Sequence, residues 1–104
     1  MTNVQHVDLH LSDGDDRACV WETAGVKVMR VRLGPGGALP THATSADVLI
    51  VPLAGRLKVA TAPLTQEIGP GEAMNLPLDM EMTVSNAAEG TTTFLVVRSL
   101  PRSG

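Results

Sequence analysis

The feature that most limits what this chain can fold into is its punctuation. Glycines, prolines and short polar clusters break it at close intervals, and the pieces between them are short and extended in character. In residues 26–33, Met29, Val31 and Leu33 alternate with Val28, Arg30 and Arg32, a period of two that suits a strand with one apolar face. Similar runs cover residues 7–11, 18–22, 47–53, 56–61, 65–68, 73–76, 80–85 and 91–98, with a short extended piece leading up to His42. Gly34-Pro35-Gly36-Gly37 and Gly69-Pro70-Gly71 are tight turns, and residues 86–90 make another. No run carries helical periodicity, and none reads as a linker. The expectation is a single all-β domain over residues 1–104, folded as a barrel or a pair of sheets rather than a flat sheet with open edges. Residues 99–104 are expected to fray.

Charge excludes several functions. Eight basic residues against eleven acidic ones leave a net charge of −3, and the bases are dispersed along the chain. Nucleic-acid binding needs a concentrated positive patch and usually aromatic platforms, yet Trp21 and Phe94 are the only aromatic residues. No apolar stretch approaches the roughly 20 residues of a membrane span. The first residues lack the basic start and apolar run of a secretory leader. A single cysteine, Cys19, cannot form an internal disulfide and reads as a small buried hydrophobe. The expected setting is the cytoplasm, with no nucleic-acid or membrane partner. Only 18% of residues are charged, which agrees with some surface being covered in a homodimer.

Two spacings carry the chemistry. Gly36, His42, Thr44, Val48 and Gly55 fit G-x5-H-x-H-x3-E-x6-G, and Gly71, Pro77, Asp79, Met82 and Asn86 fit G-x5-P-x-G-x2-H-x3-N, both without insertion or deletion. This paired signature resembles that of the RmlC-like cupin family, and the resemblance covers about residues 26–98. It implies a small double-stranded β-helix, a jelly-roll barrel. It further implies that His42 and Thr44 share one strand face and look into the barrel, beside Val48 and Met82.

In the family those four positions hold a divalent metal through imidazoles and a carboxylate. Here they carry His42, Thr44, Val48 and Met82, of which only the histidine is a good ligand for such a metal. Asp47 is one residue from the glutamate position, and a one-residue step in a strand turns a side chain to the opposite face. No cofactor is therefore expected, with His42 the one weak metal candidate. The reading from sequence is a cupin barrel of unassigned activity that binds a small molecule without a conventional metal centre, lined by His42, Thr44, Asn75 and Met82. Catalytic residues are not identifiable. Two alternatives stand beside it: a metal-dependent dioxygenase, isomerase or decarboxylase with an unusual ligand set, and a dimeric adaptor whose barrel is filled. Met74, Met80 and Met82 are expected to plug the interior. Met29, Val31 and Leu33 should face the core, leaving Arg30 and Arg32 on a solvated outer face or at an oligomer rim. His6 and His10 are not expected to form a site, nor the acidic loop at residues 13–16.

Overall fold

The structure, a computed structural model, describes residues 17–39, 42–43, 47–77 and 80–99, residues 42 and 43 by their backbone alone. Among them are nine strands: β1 (Arg17–Glu22), β2 (Val26–Leu33), β3 (His42–Ala43), β4 (Val48–Ala54), β5 (Leu57–Thr61), β6 (Thr65–Ile68), β7 (Met74–Leu76), β8 (Glu81–Asn86) and β9 (Thr92–Ser99). They form a five-stranded sheet in the order β1-β2-β9-β4-β7 and a four-stranded sheet in the order β3-β8-β5-β6. Every pairing is antiparallel. The runs read from the period-two pattern match these strands closely; the one at residues 7–11 lies outside the described residues, as do His6, His10 and residues 13–16.

Alternation decides which side chains meet between the sheets. Val31 and Leu33 of β2, Val48 and Ile50 of β4 and Phe94 of β9 point inward from the larger sheet, where Phe94 is 0% exposed. Leu57, Val59, Met82 and Val84 answer from the smaller sheet. Burying side chains of this size contributes about 1.5–3 kcal/mol each. Met82 is part of the buried core, and Met74 and Met80 pack against it, so the methionines fill the interior as expected.

Three expectations are corrected. Cys19 is exposed, not buried. It lies in β1, which among the described strands is at the sheet edge and bonded only to β2, and the ladder shifts register between Cys19 and Trp21. Arg30 is buried, at 4% exposure, rather than solvated. Met29, Val31 and Leu33 do face the core, but β2 lies inside the sheet, so Arg30 is flanked by Ala18 of β1 and Leu95 of β9, which cover its stem. Ser99 belongs to β9: it pairs with Val26, and its N–H donates to the Asp47 carbonyl at 3.1 Å.

The last residues of the two spacings meet in one polar knot. The Asn86 Nδ2 group donates toward the carbonyls of Leu33 (3.1 Å), Gly34 (2.9 Å) and Gly90 (2.7 Å). Its Oδ1 accepts from the Ala88 N–H (2.8 Å) and the Thr92 hydroxyl (2.6 Å). Thr92, 0% exposed, in turn accepts from the Arg56 N–H at 3.0 Å. Gly55 passes directly over Thr92 with φ of +89°, and a Cβ there would lie 2.8 Å from the Thr92 Cα. The spacing of Gly55 and Asn86 thus has a mechanical cause: both close the turn where β4 hands over to β5 against the start of β9. By contrast, the Arg56–Glu67 ion pair at 3.0 Å is half exposed at both ends and contributes about 0–1 kcal/mol.

Candidate functional site

Of the residues singled out from the sequence, the fold brings some together and separates others. His42 stands opposite Met82 in the β3–β8 ladder. Val48, 2% exposed, sits between Leu76 of β7 and Arg98 of β9. Thr44 lies outside the described residues. Asn75 is exposed and pairs with the exposed Leu49. Its neighbour Leu76 is buried and Met74 packs on the core, so alternation turns Asn75 outward, away from Met82. Asp47 is exposed as well.

This donor set does not suit a hard or borderline divalent metal. Val48 offers no donor atom, and Met82, 4% exposed, offers only a soft thioether. Among the described residues no three His, Cys, Asp or Glu side chains come together as a metal cluster.

The interior is open elsewhere. A cavity of about 460 Å³ lies on the inner face of β1, β2 and β9, floored by Met29, Val31, Val96 and Leu39. Around this apolar floor stand Arg17, Lys27 and Arg98. The ladder explains the cluster, because directly opposed residues share a face. Arg17 opposes Val31, Met29 opposes Val96, and Lys27 opposes Arg98. Arg98 also opposes Val48, so the cationic cleft adjoins the position where the family signature has its glutamate. A second cavity, of about 290 Å³, shares Arg17, Val31 and Leu39 and extends the trough toward the turn at Gly34 and Gly37. Among the described residues no hydrogen bond or ion pair holds the heads of Arg17, Lys27 and Arg98.

Sequence reasoning missed this cluster, although half the signal was present. The alternation that aims Met29 and Val31 inward also aims Lys27 inward. What was missing is strand order: nothing local says that β9 lies beside β2 and brings Arg98 against Lys27.

No family model matches the chain, and no curated protein is significantly similar to it. Solved structures are. The crystal structure of an RmlC-like cupin family protein with a double-stranded β-helix fold, from Methanocaldococcus jannaschii, superposes with a TM-score of 0.78 at 14% identity, over 95% of this chain and 93% of that one. The fold is that of a cupin. A cupin domain from Bordetella pertussis Tohama I is 25% identical with a TM-score of 0.69, over 82% of this chain and 92% of its own. KdgF from a Halomonas species is 17% identical with a TM-score of 0.76, over 95% and 89%. The chain has the scaffold of the signature in place, in Gly55 and Asn86, and apolar side chains at Val48 and Met82, where the signature has ligands. Among the described residues no helix is long and apolar enough to cross a membrane.

Proposed function

We propose that this cupin binds a small molecule in the cleft on the inner face of β1, β2 and β9, without a conventional metal centre. The observation that carries the reading is an open cavity of about 460 Å³ beside a tightly packed core. That volume falls within the 300–1,000 Å³ common for small-molecule sites, and the lining has their usual character, an apolar floor with a few polar heads. Val48 and Met82 support the second half of the reading, because they place packed hydrocarbon and a thioether where a metal needs oxygen or nitrogen. His42 and Thr44 stay in the proposal as ligand-binding residues on the strength of the sequence signature.

Thermal melting against a small-molecule panel, with and without a chelator, tests this reading. A true ligand at a hundredfold its Kd adds about 2.7 kcal/mol, which for a domain of this size raises Tm by roughly 10 °C or more. The rise is expected to survive EDTA. A rise abolished by EDTA and restored by a divalent metal would instead favour the metal-dependent enzyme. No rise with any compound would favour the adaptor with a filled barrel.

A homodimer belongs to the same proposal. Leu49, on the outward side of β4, and Leu53, at its register shift, are each 38% exposed, and few charges dilute the surface. Leu49→Glu is expected to shift a dimer to monomer in sedimentation velocity; an unchanged sedimentation coefficient removes this face from the interface.

A further inference from the structure

We infer that the cleft selects organic anions: molecules with a carboxylate or phosphate head and an apolar body. The inference rests on the binding role proposed above and specifies its ligand class. Its first support is charge. The chain carries a net −3, yet three of its eight basic residues converge on this one cavity and no described acid lines it. The nearest described acid in register is Glu22, which opposes Lys27 and is exposed. Three cations around one cleft repel one another, and an anion relieves that repulsion.

The second support is the kind of cation. Arg17 and Arg98 present planar guanidinium forks that match carboxylate and phosphate oxygens in pairs, while Lys27 adds a mobile point charge. Lys27 and Arg98 are half-buried, so their charge acts partly shielded from bulk water. The third support is the floor. Met29, Val31, Leu39 and Val96 offer no hydrogen-bonding side chain, so a purely ionic solute such as free sulfate would leave them dry and unmatched. A body of hydrocarbon lying on Met29 and Val96, with its head among the three cations, uses both halves of the cleft. At the corner of the signature where the family pattern has its carboxylate ligand, the neighbouring charge is the Arg98 guanidinium, opposed to Val48. Positive charge for an anion is thus available there from side chains.

Cys19 supplies a reporter. It is the single cysteine of the chain, it is exposed, and it opposes Met29 of the cleft floor in the β1–β2 ladder. The experiment measures the alkylation rate of Cys19 by N-ethylmaleimide, a neutral reagent, together with Tm. Octanoate, octyl phosphate, octanol and octyltrimethylammonium are compared below their micellar concentrations. The two anions are expected to raise Tm and slow alkylation, with affinity falling as salt is raised. Arg98→Gln and the exposed Arg17→Gln should each weaken anion binding about tenfold while leaving the unliganded Tm close to wild type for Arg17→Gln. Octanoate against octyl phosphate separates a carboxylate preference from a phosphate one. Equal protection by octanol, or undiminished anion binding in both variants, overturns the anion selectivity and leaves the binding role standing. A Tm rise without protection of Cys19 places the ligand elsewhere and overturns this site. Failure of all four probes to bind removes both the inference and the proposed cleft.

Discussion

Gly55→Ala is expected to destabilise the protein by about 4 kcal/mol, a large share of the ~5–15 kcal/mol that holds a domain of this size together. Two costs add. The backbone at Gly55 has φ of +89°, a region where an L side chain loses roughly 1–2 kcal/mol. The new methyl group would also lie 2.8 Å from the Thr92 Cα and 2.9 Å from its Cβ, against backbone that no rotamer change can move. Relieving that overlap shifts β9 away from the turn, at a further cost of about 1–3 kcal/mol. The shift also strains the hydrogen bond from the Arg56 N–H to the Thr92 hydroxyl. Urea titration followed by Trp21 fluorescence measures the loss. A change below about 1 kcal/mol would mean that the close approach of Gly55 and Thr92 is not a constraint of the folded state. Gly90, where a Cβ would meet nothing within 4 Å, is the matching control and should tolerate alanine far better.

Asn86→Asp is expected to be worse than Asn86→Ala, which inverts the usual ranking of conservative and radical changes. At wild type the amide nitrogen faces three carbonyl oxygens, at 2.7–3.1 Å. Alanine deletes those bonds at a cost of about 2 kcal/mol. Aspartate keeps the shape but puts a charged acceptor where only a donor is tolerated, and about 3–4 kcal/mol is the expected loss at neutral pH. The pH dependence gives the sign. Carbonyls around the new carboxylate favour its protonated form, so its folded pKa is raised above the unfolded value. The folded state then binds the proton more tightly, and the variant gains stability relative to wild type as pH falls, losing it as pH rises through the folded pKa. Chemical denaturation of both variants at acidic and neutral pH checks this. Equal losses at both pH values would mean that the amide nitrogen is not the group facing the three carbonyls.

The fold was readable from sequence because two independent signals agree. Period two in β2 and β8 states which residues point inward, and Val31, Leu33, Met82 and Val84 are all buried as that rule requires. The spacings ending at Gly55 and Asn86 state that the ends of two distant segments have fixed backbone roles, and both residues sit in the knot around Thr92. The site was less legible. The sequence reading sets Asn75 beside Met82, but its own neighbours Met74 and Leu76 claim the inward side of β7. Cys19 and Arg30 went the other way for a shared reason: burial depends on whether a strand is at the edge or inside the sheet, and that is a property of strand order. Arg17, Lys27 and Arg98 are far apart in the chain and meet only once β1, β2 and β9 are laid side by side.

The partners of Asn86 also bear on how long the folded molecule lasts. Its amide reaches a carbonyl 53 residues back, and the Arg56–Thr92 bond spans 36 residues. Both links close long loops, and the expectation is that they form only once both sheets have assembled, late in folding. Interactions missing from the transition state act on the escape rate alone. The amide of Asn86 thus works as a latch: substitutions there should leave the refolding rate nearly unchanged and show up as faster opening of the finished barrel.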